Sequence, residues 1–278
     1  MEDIDGFGLK RGRRLAGKYV VGDLLGKGWE GEVYHVTEVA TGIERAAKFF
    51  YPKRNPGDRA INFYARKLNK LRRCSIIIQY HTQESFRHGG IHLPFLVSEY
   101  VNGEILSEFV KRQRGRRLTP FEALHMTHAL VRGVQEIHEA GEYHGDLHSD
   151  NIMVRRRGLG FEVKVVDMYQ WGRVTPEHFR DDICALVQIL HEILGGAAHY
   201  AKQPREIKGI CCGLKRSLIV RKFRTIEKLR FGIVGVNDIN PTAAAAPFGG
   251  VKESGLGREG GQEGILEYLD TKLVGFAV

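Results

Sequence analysis

Hydrophobic positions follow two different patterns along the chain. Up to about residue 100, short apolar runs alternate with glycine-containing turns, which is typical of β-strands. Residues 60–71 interrupt this pattern with apolar side chains at helical spacing. The predicted strands cover residues 19–25, 32–39, 44–50, 76–80 and 93–100.

A long helix is predicted to begin at Thr119 and Pro120. Threonine is a preferred N-cap, and proline is tolerated in the first turn of a helix. Apolar positions at helical spacing continue to about Gly141, and an apolar strand follows at residues 163–166. A strand-rich first part followed by a helix-rich second part predicts an α+β fold.

Composition limits the class of protein. A length of 278 residues allows one large domain or two modest ones. A content of 42% hydrophobic and 27% charged residues is ordinary for a soluble globular protein and excludes collagen-like and disordered chains. No apolar run approaches 18 residues, so no membrane span is expected. Four cysteines without CxxC spacing, and an N-terminus without a secretory signal, predict a reduced, cytoplasmic protein.

Charge is distributed unevenly along the chain. The net charge is +9, but residues 231–278 carry three basic and six acidic side chains, so the first 230 residues carry +12. This shift predicts a domain boundary near residues 226–231. The densest basic run covers residues 111–117. We interpret that run as a solvated loop and do not expect nucleic-acid binding.

A glycine-rich turn lies between the first two predicted strands. Gly26, Gly28 and Gly31 form a GxGxxG pattern, which on its own is weak evidence. A dinucleotide-binding fold requires a helix after the glycines. Here the predicted strand 32–39, which contains Val33, follows the glycines, and this favours a strand–turn–strand flap whose backbone approaches phosphates closely. An ordinary hairpin is the alternative.

Lys48 is the second candidate for chemistry. It lies among small and apolar residues in the predicted strand 44–50. Pointing into a cleft, its ammonium would hold the phosphates of a nucleotide. The alternative is a surface lysine whose aliphatic stem covers apolar neighbours.

The third candidate is the polar segment 144–151, which precedes a short apolar run. Asp146 would orient an attacking hydroxyl and accept its proton, while Asn151 and Asp167 supply hard oxygen ligands suited to Mg²⁺. A capped polar turn is one alternative. A zinc site built on His144 and His148 is another, but no third ligand has suitable spacing.

Residues of roughly 19–230 resemble a protein kinase domain of the serine/threonine type. The resemblance rests on the flap, on Lys48, on the segment 144–151 with Asp167, and on a later helix that resembles the one anchoring the catalytic loop. It implies a bilobal α+β fold with a shortened activation segment. The implied divisions are a flexible basic N-terminus at 1–18, an N-lobe at 19–101, a C-lobe at 102–230 and a short tail at 231–278.

The same resemblance implies ATP and Mg²⁺ as cofactors. Lys48 would meet the phosphates beside Gly26, Gly28, Gly31 and Val33. The backbone of Glu99 and Val101 would meet adenine, and Glu104 would reach the ribose.

Several positions depart from the kinase pattern. Gly145 replaces the arginine that receives a phosphorylated activation loop, and only 14 residues separate Asp167 from Asp182. Regulation by loop phosphorylation is therefore not expected, and the platform for a peptide is reduced. Helix 60–71 lacks the glutamate that normally pairs with the lysine, and Tyr64 occupies its place.

Residues 231–278 resemble the C-terminal end of aldehyde dehydrogenases of the succinate-semialdehyde type. The segment 246–260 carries the most specific part of this resemblance. No cysteine follows Cys212, so the nucleophile of that family is missing and no dehydrogenase activity is expected. The tail is expected to be loosely ordered or to pair with another chain.

The sequence thus predicts an ATP- and Mg²⁺-dependent phosphotransferase acting on a hydroxyl of a protein or small molecule. The first alternative is a nucleotide-binding pseudokinase that acts as an interaction module, because the glutamate partner of Lys48 is missing. The second is a non-catalytic fusion dominated by the dehydrogenase fragment.

Overall fold

The computed structural model describes residue 4 and residues 6–158, 160–168 and 172–228, with side chains to residue 222. The chain divides into two compact units, Met1–Gln203 and Pro204–Val278. The predicted tail at 231–278 lies outside the described residues.

A six-stranded antiparallel sheet forms the first part of the first unit. Its spatial order is β1-β2-β3-β4-β6-β5. The central strands are rich in β-branched and aromatic residues, which suit a pleated surface buried on one face. The strands are β1 (Arg14–Leu15), β2 (Tyr19–Lys27), β3 (Gly31–Glu38), β4 (Glu44–Phe50), β5 (Tyr80–His88) and β6 (Ile91–Glu99).

Helices dominate the rest of the chain. The first unit contains α1 (Arg59–Lys70), α2 (Leu106–Arg112), α3 (Pro120–Glu139), α4 (Pro176–Ile193) and α5 (Gly196–Tyr200), and the second contains α6 (Arg205–Cys211) and α7 (Arg216–Lys228). The predicted start of α3 is confirmed. Thr119 Oγ1 accepts a hydrogen bond from the Glu122 amide, and Glu122 Oε2 accepts one from the Thr119 amide, which completes a capping box.

A second, three-stranded sheet holds the polar segment 144–151 against the helices. It consists of β7 (Glu104–Ile105), β8 (Ile152–Arg157) and β9 (Gly160–Val165) in that order. The segment enters β8 directly, and Asp167 follows β9 after one residue. Because β8 and β9 pair, the segment and Asp167 are brought to the same edge of the sheet.

The predicted strand at residues 76–80 is wrong. Ile76 and Ile77 are buried, but Ile77 forms only an isolated bridge to Val165, and the strand itself begins at Tyr80. An added Cβ at Gly133 of α3 would lie 2.4 Å from Ile76, so that isoleucine packs directly on the helix backbone. The apolar run therefore fills the core between elements, and periodicity alone does not distinguish this from a strand.

The N-terminal segment also differs from the expected flexible terminus. Phe7 and Leu9 are only 4% and 7% exposed, and β1 pairs with β2. The Phe7 amide donates to the buried Glu32 carboxylate at 3.1 Å, and the Leu9 amide donates to the Tyr34 hydroxyl at 3.3 Å. Phe7, Leu9 and Leu15 are thus part of the first sheet's hydrophobic core, because their apolar side chains gain more by burial than by staying in water.

The predicted α+β architecture is confirmed for the described residues of the first unit. Within the described part of the chain, no helix has the length and apolar character needed to cross a bilayer.

Candidate functional site

The site residues predicted in the glycine-rich turn, in β4, in the polar segment and after β9 come together around one cavity of about 280 Å³ in the first unit. The glycine-rich turn, Lys48 and the polar segment all contribute to its wall. The lining residues are Gly26, Lys27, Gly28, Trp29, Glu30, Gly31, Val33, Lys48, Asp146, Asn151 and Asp167.

The flap over this cavity is the hairpin of β2 and β3. Gly26 pairs with Val33 across the hairpin. Gly31 is required by packing, because a Cβ there would lie 1.8 Å from the Phe49 carbonyl oxygen of β4. Gly26 and Gly28 have no atom within 4 Å of an added Cβ, so their backbone borders open space. Two of the three glycines therefore leave room for a ligand, and the third allows two strands to meet.

Lys48 projects from β4 into the cavity and is 8% exposed. Its Nζ lies 2.5 Å from Asp167 Oδ1 and 3.5 Å from Glu30 Oε2. The same ammonium lies 5.4 Å from the Phe50 ring centroid and 5.0 Å from that of Tyr64. Burial alone would lower the pKa of Lys48, but the nearby Asp167 and Glu30 carboxylates outweigh it and raise the pKa. Lys48 is therefore charged at neutral pH.

Asp167 lies in the left-handed region of backbone space, with φ 57°. Burial raises the pKa of its carboxyl, but the charge attraction and the hydrogen bond of the Lys48 ammonium, with smaller contributions from neighbouring groups, lower the pKa overall. The next side chain, Met168, is 1% exposed and anchors the end of this segment in the core. Asp167 is thus an ionised carboxylate held at the cavity wall.

The polar segment forms a compact loop around Asn151. Asn151 Nδ2 donates to the Asp146 backbone carbonyl at 2.9 Å and lies 3.3 Å from Asp146 Oδ2. His148 Nε2 lies 2.9 Å from the same Asn151 nitrogen and 3.7 Å from Asp146 Oδ2. The Asp146 side chain is 56% exposed and lines the cavity.

The buried carboxylate of Asp182 in α4 holds the backbone of this loop in place. Its oxygens accept hydrogen bonds from the backbone amides of His144 and Gly145, both at 2.8 Å, and contact His138 Nε2 at 2.9 Å. Burial alone would raise the pKa of Asp182, but these hydrogen bonds lower it overall. Gly145 has φ 83°, a conformation that suits glycine.

His144 is fully buried beneath Asp146. Its Nε2–H donates to the Val166 carbonyl at 3.0 Å, and its Nδ1 accepts from the Asp146 amide at 3.2 Å. Burial lowers the pKa of His144, which favours the neutral ring that this pattern requires. His144 thus links Asp146 to the residue before Asp167 and is not free to bind a metal.

The residues predicted to meet adenine and ribose are not among those that line the cavity. Glu99 ends β6, and its carboxylate accepts from the Gln79 amide and from Lys164 Nζ, both at 3.1 Å. Val101 lies just beyond, in the connection to β7. Glu104 is paired with Arg112 of α2. The roles of these three residues stay predictions.

Three further lining residues, Lys27, Trp29 and Glu30, had no predicted role. They occupy the variable positions of the GxGxxG turn. This location within the motif was the sequence feature that could have identified them as lining residues. Trp29 is 67% exposed, and its ring lies 4.5 Å from the Arg54 guanidinium carbon.

Asn151 and Asp167 fit a Mg²⁺ ion by the chemistry of their donors. The Asn151 amide nitrogen is bound inside the loop, so its carbonyl oxygen is the atom left for a cation. Together with the Asp167 carboxylate it offers hard oxygen ligands in one cavity. Among the residues that the structure describes, no group of three or more His, Cys, Asp or Glu side chains is arranged to hold a metal.

Comparisons with known sequences agree with two separate resemblances. The family model described as "Protein kinase domain" matches residues 19–185, and that described as "Aldehyde dehydrogenase family" matches residues 213–274. The second match begins before the boundary predicted near residues 226–231, and the position of that boundary stays a prediction.

Curated relatives fall into the same two groups. A probable serine/threonine-protein kinase of Streptomyces coelicolor is 33% identical over 162 residues, which is 57% of this chain and 23% of the relative. A succinate-semialdehyde dehydrogenase of Paenarthrobacter nicotinovorans is 58% identical over 57 residues, which is 20% of this chain and 13% of the relative. The chain therefore spans less than a quarter of the length of either relative.

Among solved structures, the PknI kinase domain of Mycobacterium tuberculosis has a similar fold. The TM-score is 0.57 at 21% identity, and the match covers 76% of this chain and 91% of that one. This likeness confirms the kinase-like fold that the sequence predicted. With a kinase family model covering more than half of its length, the chain belongs to the protein kinase family and carries an aldehyde-dehydrogenase-like segment near its C-terminus.

Proposed function

We propose that this chain is an ATP- and Mg²⁺-dependent kinase that transfers the γ-phosphate of ATP to a hydroxyl group. One observation carries the proposal. Lys48, Asp146, Asn151 and Asp167, from three segments that are separate in the sequence, line a single cavity beneath a glycine-rich flap. This set contains each part that phosphoryl transfer requires, namely a phosphate-binding cation, metal ligands and a base.

The flap and Lys48 bind the phosphates. Gly26 and Gly28 leave the backbone accessible, and Lys48 supplies a positive charge on a rigid strand. Asn151 and Asp167 would hold Mg²⁺, which when bound neutralises charge on the phosphates. Asp146 orients the acceptor hydroxyl and takes its proton, since its carboxylate is exposed at the cavity wall while its backbone is fixed by Asn151 and His144.

The acceptor class is a serine or threonine hydroxyl of a protein, or the hydroxyl of a small molecule. The relative from Streptomyces coelicolor bears the name of a serine/threonine kinase, which supports the first. The short connection between Asp167 and α4, which begins at Pro176, supports the second because it leaves little chain for a peptide platform. Competition between a hydroxylated small molecule and a serine-containing peptide for labelled phosphate decides between them.

A nucleotide-binding pseudokinase is the second candidate. The observation in its favour is that α1 contains no carboxylate and presents Tyr64 beside Lys48. A pseudokinase would bind the nucleotide and gain thermal stability without turning it over.

The test is ADP formation from Mg²⁺-ATP by the full chain and by Asp146→Ala. Turnover by the wild type that is lost in the variant supports the kinase. Nucleotide-dependent stabilisation without turnover supports the pseudokinase instead. Turnover that survives Asp146→Ala overturns the role given to that residue.

Dehydrogenase activity is not part of the proposed function, because no cysteine follows Cys212 to act as nucleophile. The dehydrogenase-like tail is proposed to mediate self-association, which would disappear when residues 231–278 are deleted.

A cytoplasmic location is likewise a proposal, supported by four cysteines that are all free thiols.

A further inference from the structure

The partners of Lys48 are arranged differently from those that the kinase resemblance implies. Helix α1, which would supply a glutamate, presents the Tyr64 ring 5.0 Å from the ammonium. An aromatic face attracts a cation, but much less strongly than a carboxylate does at contact distance. Among the described residues, the carboxylates that pair with Lys48 are Asp167 and Glu30.

Glu30 is a buried residue of the flap, and its side chain and backbone both make defined contacts. It is 8% exposed, and its carboxylate oxygen Oε2 lies 3.5 Å from Lys48 Nζ. Its backbone carbonyl accepts a hydrogen bond from the Tyr51 amide at 2.8 Å, just beyond the end of β4. The position of Glu30 is therefore coupled to the strand that carries Lys48.

Asp167 cannot keep its close contact with Lys48 while the same carboxylate binds a metal ion. Its Oδ1 lies 2.5 Å from Lys48 Nζ, and a divalent cation bound to the same carboxylate would repel the ammonium. Lys48 must then move away from Asp167, and burial makes an ammonium without a carboxylate partner unfavourable. Glu30 is the carboxylate that stays beside it.

We infer that Glu30 is a positioning residue that replaces the missing helix glutamate and holds Lys48 toward the nucleotide phosphates when Asp167 binds the metal. The inference rests on the proposed function. Because Glu30 lies in the flap, it also couples the placement of Lys48 to closure of the flap over the nucleotide.

In the alternative role, the negative charge of Glu30 would repel the nucleotide phosphates instead of holding Lys48 toward them. A carboxylate in the cavity wall that did not hold Lys48 would weaken nucleotide binding, so its neutralisation would tighten binding. The two roles thus predict opposite signs for the same substitution.

The experiment compares Glu30→Gln, Glu30→Asp and the control Glu44→Gln in the full chain. Glu44 lies on the same strand as Lys48, and its carboxylate contacts His35 Nε2 at 3.0 Å, but its side chain is exposed and does not line the cavity. The measurements are the ADP dissociation constant with Mg²⁺ and with a chelator, the KM and kcat for ATP, and the melting temperature without nucleotide.

Glu30→Gln is expected to raise the Mg²⁺-ADP dissociation constant and the KM for ATP by about tenfold, since one charge-assisted contact to Lys48 is lost. Glu30→Asp should recover part of this loss, and Glu44→Gln should match the wild type. The double variant Glu30→Gln with Tyr64→Glu should regain affinity, because it restores a carboxylate from α1. Should that variant not fold, the comparison of Gln with Asp still decides the question.

Unchanged or tighter nucleotide binding in Glu30→Gln, with wild-type turnover intact, overturns the inference and leaves the proposed function standing. A wild-type protein that binds no nucleotide overturns the proposed function, and the inference falls with it.

Discussion

Lys48 and Asp167 are 119 positions apart in the chain, yet the Lys48 Nζ lies 2.5 Å from Asp167 Oδ1. The contact joins β4 of the first sheet to the second residue after β9 of the second sheet. It places a cation and a carboxylate on the wall of the cavity that the glycine-rich flap covers. The pair also raises the pKa of Lys48 and lowers that of Asp167, so each side chain keeps its charge at neutral pH.

Two flap glycines should respond differently to alanine. Gly31→Ala is expected to lower the free energy of unfolding by about 3 kcal/mol, because the new Cβ would lie 1.8 Å from the Phe49 carbonyl oxygen. Gly28→Ala meets no atom within 4 Å and should cost about 1 kcal/mol or less. Urea denaturation of the two variants makes the comparison. Equal losses would contradict the close approach of β3 to β4.

The N-terminal segment should contribute directly to stability. Phe7→Ala is expected to cost about 3 kcal/mol, because the Phe7 ring contacts those of Phe49, Tyr51 and Phe86 and is 4% exposed. Lys10, an exposed residue of the same segment, provides the control. Lys10→Ala should change the free energy of unfolding by about 0.5 kcal/mol or less. A Phe7→Ala protein as stable as the wild type would show that the segment is not part of the core.

This segment illustrates what the sequence could not reveal. Phe7 and Leu9 stand among glycines and charged residues, without the periodicity of a strand or helix, and their burial depends on contacts with β3 and β4. The strand predicted at 76–80 was wrong because an apolar run alone does not distinguish a strand from core packing. Ile76 packs against α3, and Ile77 forms only an isolated bridge.

The site was more predictable than these contacts. Lys48, Asp146, Asn151 and Asp167 were singled out because each lies in a short sequence motif and has a side chain suited to phosphoryl transfer. Glu30 was missed as a partner of Lys48, because their contact depends on how the flap folds over β4.

Asp182 should stabilise the loop that carries Asp146. Asp182→Asn is expected to cost about 3 kcal/mol, since it removes a buried charge that accepts two backbone amides and contacts His138. Chemical denaturation measures this loss, and turnover of Mg²⁺-ATP should fall with it. The adjacent, exposed Asp181 offers a matched control. Comparable losses in Asp181→Asn and Asp182→Asn would refute the anchoring role.

Stability should decline as the pH falls below about 6.5 because of His144. Its folded pKa lies below its usual value of 6.5, so the unfolded chain takes up a proton before the folded chain does. The contribution is complete above pH 6.5 and is lost as the pH falls through the folded pKa. Asp167 and Asp182 also have lowered pKa values, but their usual value is 3.8, so they act at lower pH.

Equilibrium unfolding between pH 7.5 and pH 5 tests this. The free energy of unfolding should decrease with falling pH in the wild type, and the decrease should be smaller in His144→Gln, whose amide does not titrate. The same pH dependence in both proteins would assign the loss of stability to another group.

Phosphoryl transfer itself is tested most directly by the rate of ADP formation from Mg²⁺-ATP in three proteins: the wild type, Asp146→Asn and Asp150→Asn. Asp150 lies in the same loop and is also exposed, but its carboxylate binds Ser107 at 2.5 Å and does not line the cavity. We expect Asp146→Asn to lose roughly 100-fold or more in kcat, as for removal of a catalytic base. Asp150→Asn should stay near the wild-type rate. Equal rates for all three proteins, or no ADP formation by the wild type, would contradict the assignment of this cavity as a kinase active site.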